Sequence, residues 1–251
     1  MTDLRLDFSW KAPDPSHADD ACRLARFVNG LPDFDAIYHS WLGSPETKEE
    51  TVPVPLSDAK ANRLLIENMV RYDLPPDPWP EAGSHIWGGH AGPPPFDFRQ
   101  SSYADTLCHI GAAGEPVAAY SNSIQMRLSD LRPSTGRPWR AAELRPLMKF
   151  AREVWNPIEM SAAFSFYDDW PKIPDPAWAS GERTLEPRIG WITYLPPDLA
   201  VKAKYPADVE VEILDDGAAL VTLCEEPFGK DDGAGLARLH ALEMALRPIQ
   251  S

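Results

Sequence analysis

Apolar residues recur at helical spacing in the middle of the chain. Four of them, at i, i+3, i+4 and i+7, form one apolar stripe: Leu147, Phe150, Ala151 and Val154. The stripe predicts a helix that begins near Ala142 to Arg145 and ends before Pro157, since Asn156 precedes a proline. Pro146 lacks an N–H group and is predicted to lie in the first turn of this helix.

The same period predicts three more helices. The first begins at an N-cap, Ser16, and ends near Gly30. The second is capped by Ser57 and runs to about Tyr72, and the last follows the sequence Asp231-Asp232-Gly233. Their predicted inward positions are Ala21, Leu24, Ala25, Val28 and Leu31 in the first, Ala61, Leu65, Met69 and Tyr72 in the second, and Leu239, Leu242 and Leu246 in the last.

Other stretches alternate apolar and polar residues, which is typical of strands. Leu4, Leu6 and Phe8 predict a half-buried strand. The alternation from Val209 to Ile213 leads into Asp215-Asp216-Gly217, a strong hairpin signal. Further strands are predicted at Ser84–Trp87, Ala104–Ile110, Ser123–Ser129, Met160–Tyr167, Gly190–Leu195 and Leu220–Cys224.

Helices and strands are mixed without strict βαβ alternation, which favours the α+β class. We expect a mixed, mostly antiparallel sheet with helices packed on it. A chain of 251 residues with 43% apolar residues can bury a full core, which excludes an intrinsically disordered protein. We predict one domain over residues 1–251, with two subdomains meeting near residues 75–100 as the alternative.

The charge of the chain bears on its partners. There are 24 Lys and Arg residues against 38 Asp and Glu residues, a formal charge of −14. Such a surface repels nucleic acid and anionic membranes and suits a basic protein partner. The three cysteines form no CxxC spacing, and neither a signal segment nor a membrane span is evident. We therefore expect a cytoplasmic protein without a nucleic-acid or membrane partner.

The chain offers few candidates for catalysis. The glycine-rich sequence Trp87–Gly92 matches no phosphate-binding loop and predicts a flexible turn. His85 and His90 could approach each other or pair with Asp97 or Asp105, but their spacing matches no common metal motif. We therefore predict no catalytic residue, metal or cofactor. The alternative is a small soluble enzyme with a site near His85, His90 and Asp168.

The segment from Tyr205 to Asp232 is unusually acidic, with nine carboxylates and one cation, Lys230. It could be a solvated strand face, or a surface that steers and docks a basic partner. On the second interpretation, the predicted partner-binding residues are Asp215, Asp216, Glu225, Glu226, Asp231 and Asp232.

Three features resemble the immunity protein 52 family of bacterial polymorphic-toxin and type VI secretion effector systems. They are a first helix containing Ala21-Cys22, a central helix ending in Trp155-Asn156-Pro157, and the strand Gly190–Leu195. The resemblance implies an α+β cytoplasmic protein that binds and neutralises a cognate toxin, often a nuclease. An acidic inhibitor could compete for the basic cleft of such a nuclease.

Overall fold

The first strand of the chain lies in the middle of a ten-stranded sheet. In this computed structural model the described residues are 4–11, 16–31, 41–45, 54–68, 82–90, 104–112, 122–128, 131–132, 135–164 and 189–249. The strands are β1 Leu4–Trp10, β2 Trp41–Pro45, β3 Val54–Pro55, β4 Ala82–His90, β5 Ala104–Ala112, β6 Asn122–Leu128, β7 Leu131–Arg132, β8 Arg137–Pro138, β9 Glu159–Phe164, β10 Ile192–Leu195, β11 Glu210–Ile213 and β12 Ala219–Thr222. The helices are α1 His17–Gly30, α2 Ala59–Asn68, α3 Ala141–Trp155, α4 Pro197–Ala200 and α5 Gly233–Leu246, followed by a 3-10 turn at Arg247–Ile249.

The strand order in the main sheet is β11-β12-β10-β9-β1-β6-β5-β4-β2-β3, and β7 and β8 form a separate pair. Each described pairing is antiparallel, which confirms the predicted α+β class with a mostly antiparallel sheet. None of the described helices is long and apolar enough to cross a membrane. Residues 69–81 and 91–103 lie outside the described ranges, so the subdomain boundary near 75–100 stays a prediction.

Helices α1 and α3 cover one face of this sheet. The Phe8 ring of β1 meets Phe27 of α1 edge-on, at a centroid distance of 5.7 Å. The Trp10 ring lies 4.4 Å from Trp155, the last residue of α3. All five predicted inward residues of α1 are buried, as are the three predicted in α5, so both helical patterns are confirmed. The residues between these helices and the sheet belong to one hydrophobic core, which also includes the buried leucines of α5.

The prediction that β1 is half-buried was wrong. Asp7 and Ser9, on the other face from Phe8, are only 7% and 1% exposed. The Ser9 hydroxyl donates a hydrogen bond of 2.8 Å to the Glu159 carboxylate on β9. Residues on both faces of β1 are therefore buried, which the polar residues in its sequence did not indicate.

Of the two predicted N-cap residues, Ser16 is confirmed and Ser57 is wrong. Ser16 caps α1 as expected, since its hydroxyl accepts a bond of 3.3 Å from the Asp19 N–H. The cap of α2 is Asp58 rather than Ser57, because the Asp58 carboxylate accepts bonds of 2.8 and 3.3 Å from the N–H groups of Lys60 and Ala61.

The inward face of α2 also differs from the prediction. Asn62 and Ile66 are its fully buried positions, whereas Ala61 and Leu65 are only half-buried. The Asn62 amide donates bonds to the carbonyls of Leu56 and Ala21, so a polar residue occupies a position that apolar spacing could not identify. Met69 and Tyr72 lie outside the described residues.

Helix α3 begins at Ala141, so Pro146 lies in the second turn and not in the first as predicted. The proline removes the N–H that would bond the Ala142 carbonyl, and Ala142 is exposed to solvent, which can replace that bond. The helix ends as predicted, because Asn156 adopts a left-handed conformation with φ 47° before Pro157.

The predicted turn at Trp87–Gly92 was wrong for the residues that the structure describes. Trp87 to His90 continue strand β4, where Gly88 pairs with Gly43 of β2 and with Thr106 of β5. Glycine is a weak strand former, and two neighbouring strands hold this segment extended. That pairing is not local in sequence, so the glycine pattern alone indicated a turn.

Candidate partner-binding surface

The acidic hairpin forms the outer end of the sheet. Strands β11 and β12 are joined at Asp215-Asp216-Gly217, as predicted. The Leu214 N–H donates to the Ala218 carbonyl at 2.8 Å, and the Gly217 N–H donates to the Leu214 carbonyl at 2.9 Å. Gly217 has φ 87°, a conformation that favours glycine in a three-residue hairpin loop. The two aspartates therefore lie at the exposed tip of the hairpin.

Helix α3 lies beside this hairpin with a row of basic residues. Arg145, Lys149 and Arg152 are spaced at i, i+4 and i+7, which places them on one side of the helix. Each forms an ion pair with the hairpin. These α3–hairpin ion pairs are Arg145–Glu210, Lys149–Glu212 and Arg152–Asp216.

Two further predicted residues contact the start of α3. The backbone carbonyl of Glu225 accepts a bond of 2.9 Å from the Ala141 N–H, and its carboxylate accepts one of 3.3 Å from the Ala142 N–H. The Glu226 carboxylate lies 3.6 Å from the Arg140 guanidinium. Negative charges at this position stabilise the N-terminal end of the helix, which carries a partial positive charge.

The remaining acidic pair precedes α5. Asp232 is the N-cap of that helix, and its carboxylate accepts bonds of 3.0 and 3.1 Å from the Ala234 and Gly235 N–H groups. Asp215 and Asp231 are exposed and form no ion pair with any residue that the structure describes.

The six predicted residues do not form one patch. Asp216 contacts Arg152, whereas Glu225 contacts Ala141, Ala142 and Arg145, nearer the start of α3. Arg145 and Arg152 are seven positions apart, which corresponds to about 10 Å along the helix axis. Asp216 and Glu225 therefore contact different parts of α3, and the binding role of the set stays a prediction.

The sequence reasoning missed the cations that compensate this segment. Lys230 is the one cation between Tyr205 and Asp232 in the sequence, whereas the partners of these carboxylates come from α3 and α5, where Arg238 lies 3.4 Å from Asp208. The sequence did contain a sign of this pairing. Glu210 and Glu212 are two positions apart and lie on the same face of a strand, and three cations lie on one side of α3. Much of the acidity therefore serves contacts within the chain.

Several opposing effects act on the Asp216 carboxyl. Burial raises its pKa. The hydrogen bond from the Ala218 N–H and the charge of the Arg152 guanidinium together lower the pKa by more than burial raises it, so the net pKa lies below the ordinary value of 3.8. A lowered pKa in the folded protein means that ionised Asp216 adds stability above the unfolded pKa. This stability is lost as the pH falls through the folded pKa.

Asp216→Asn is accordingly expected to lower the stability at pH 7 by about 0.2–1 kcal/mol, the range for exposed ion pairs. Thermal melts from pH 7 to pH 2 should show the difference from wild type shrinking as Asp216 becomes protonated. Asp215→Asn is the matched control on the adjacent residue, and it should change stability little at any pH. A difference for Asp216→Asn that persists at pH 2 would contradict the ion-pair explanation.

The alternative site was predicted from a turn that could bring His85 and His90 close together, and the structure has a strand there instead. Both lie on β4, where His85 pairs with His109 of β5 and His90 pairs with Trp41 of β2. His85 and His90 are five positions apart on this extended strand, so their Cα atoms lie about 17 Å from each other. In the strand register Asp105 lies opposite Gly89 of β4 and Arg127 of β6, whereas Asp97 and Asp168 lie outside the described residues.

Comparison with solved structures gives a match over the whole chain. The matching structure is named "Pseudomonas aeruginosa T6SS protein PA0821", with a TM-score of 0.55. The alignment covers 100% of this chain and 73% of that chain, at 11% identity. The two proteins share a fold. No protein-family model matches the sequence, and no curated protein matches it.

Proposed function

We propose that this chain is an immunity protein that binds a cognate bacterial toxin and neutralises it in the producing cell. The observation that carries the proposal is the fold shared with a protein named for type VI secretion, over 100% of this chain. The resemblance of Trp155-Asn156-Pro157 and Gly190–Leu195 to the immunity protein 52 family supports the same role. On this proposal the chain acts by binding and has no catalytic site.

The toxin is proposed to be a nuclease with a basic cleft. The support for this is electrostatic: the chain carries a formal charge of −14, and a nuclease must attract phosphates. Opposite charges accelerate association and suppress wrong partners. Asp215 and Asp231 are the best candidates for long-range attraction, because they are exposed and take no part in the α3–hairpin ion pairs.

Co-expression with the neighbouring gene tests the function. If that gene encodes the toxin, cells expressing it alone should stop growing, and cells that also express this chain should grow. An active-site variant of the toxin provides material for binding measurements with the purified chain. Failure of this chain both to restore growth and to bind the variant would overturn the proposal.

The electrostatic component makes a separate prediction. The double variant Asp215→Lys, Asp231→Lys should associate with the inactive toxin about 2- to 10-fold more slowly at low salt, with a weaker dependence on salt. Stopped-flow measurements at several ionic strengths provide the rates. Asp19→Lys, an exposed residue on α1, is the control for charge reversal elsewhere. If the double variant associates as rapidly as wild type at low salt, these two residues do not steer the toxin.

A further inference from the structure

Strand β11 leaves one edge of the sheet open. It is the first strand in the sheet order, and β12 is its single partner among the described strands. Ile213 is 60% exposed, and the Glu210 side chain is 57% exposed although it contacts Arg145 of α3. An exposed strand edge is a template on which another extended segment can pair.

The hydrogen-bonding pattern shows which backbone groups face outward. Leu214 bonds to Ala218 across the hairpin, and hydrogen-bonded and non-bonded pairs alternate along an antiparallel ladder. Glu212 and Glu210 are therefore the residues bonded to β12. The N–H and C=O groups of Val211 and Ile213 point away from β12, and a partner strand could bond to both residues.

The side chains along this edge also alternate. Glu210 and Glu212 lie on the face that α3 contacts, and Val211 and Ile213 lie on the other face. Arg145 and Lys149 hold the two glutamates from one side, yet most of the Glu210 side chain remains accessible. The edge therefore presents carboxylates on one face and apolar groups on the other.

We propose that β11 is the docking strand for the toxin and that an extended segment of the toxin pairs with its outer edge. This inference rests on the function proposed above and specifies its binding mode. The complementary segment alternates basic residues, which face Glu210 and Glu212, with apolar residues, which face Val211 and Ile213. A second copy of this chain would instead bring glutamates close to glutamates, between two molecules that each carry a charge of −14.

Proline substitution separates backbone pairing from side-chain contact. Ile213→Pro removes an outward N–H, a position at which edge strands tolerate proline, so the fold should be retained. Ile213→Ala removes most of the side chain but keeps the N–H. Against the inactive product of the neighbouring toxin gene, Ile213→Pro should bind about tenfold or more weakly than Ile213→Ala, since it loses a backbone hydrogen bond.

Amide hydrogen exchange gives a readout that needs no variant. In the free protein the N–H groups of Val211 and Ile213 should exchange rapidly, while that of Glu212 is protected by β12. In the toxin complex the first two should become protected. Rapid exchange of both in a saturated complex, or equal affinity of the proline and alanine variants with their folds intact, would overturn this docking mode and leave the immunity function standing. A wild-type chain that neither binds the toxin nor restores growth would overturn both.

Discussion

Replacing Trp155 with alanine is expected to lower the free energy of unfolding by about 3–5 kcal/mol. Trp155 is only 2% exposed and ends α3 against the central strand. Its ring lies 4.4 Å from Trp10, 6.4 Å from Phe8 and 6.3 Å from Phe27. The side chain therefore joins α1, α3 and β1, and the alanine variant leaves a cavity where these three elements meet.

Urea denaturation of both proteins measures this loss. Val201→Ala is the control, because Val201 is 81% exposed and its truncation should change stability by no more than about 0.5 kcal/mol. A domain of ordinary stability has about 5–15 kcal/mol in total, so Trp155→Ala could leave little folded protein at 37 °C. A loss below about 1 kcal/mol would mean that Trp155 is not the core anchor described here.

Trp191→Ala is expected to have a comparable effect for a partly different reason. Trp191 is 0% exposed, and its ring lies 5.7 Å from Phe164. Its indole N–H also donates a bond of 2.7 Å to the Cys224 carbonyl, which connects the residue before β10 to the segment after β12. Alanine would create a cavity and leave that carbonyl without its partner, at about 3–5 kcal/mol in all.

Phenylalanine variants separate the two contributions. Trp191→Phe keeps an aromatic ring but loses the bond to Cys224, whereas the buried Trp155 N–H has no hydrogen-bond partner in the described part of the chain. Trp191→Phe should therefore be more destabilising than Trp155→Phe, by about 1 kcal/mol. Equal losses, or the reverse order, would show that the Cys224 bond adds no net stability. Both tryptophans belong to the motifs that suggested the family, so those motifs maintain the fold.

The sequence predicted best the features that depend on neighbouring residues. The end of α3 at Asn156, the Ser16 cap and the turn at Asp215-Asp216-Gly217 are fixed by side chains within a few positions of each other. The central position of β1 could not be predicted, since its partners are more than 100 residues away. The glycines of β4 indicated a turn because their own sequence does not show β2 and β5, the two strands that keep them extended.

The candidate surface was predicted less well than the fold. The acidity of the hairpin was visible in the sequence, but a carboxylate that attracts a partner and one that pairs within the chain look the same there. Glu212 and Asp216 proved to be paired with α3, while Asp215 did not. The open edge of β11 was also hidden, because sequence alone does not say which strand ends the sheet.

The position of β1 has a consequence for how the protein is made. Its residues leave the ribosome before those of β9, and the hydrogen bond from Ser9 to Glu159 forms only after 150 more residues have been synthesised. Until β6 and β9 have been synthesised, β1 carries an apolar face and two unpaired edges. Contacts of such long sequence separation slow folding and prolong the exposure of aggregation-prone segments. Pairing of β1 with β6 and β9 is therefore expected to be a late step in folding, and not one that β1 can make as it is synthesised.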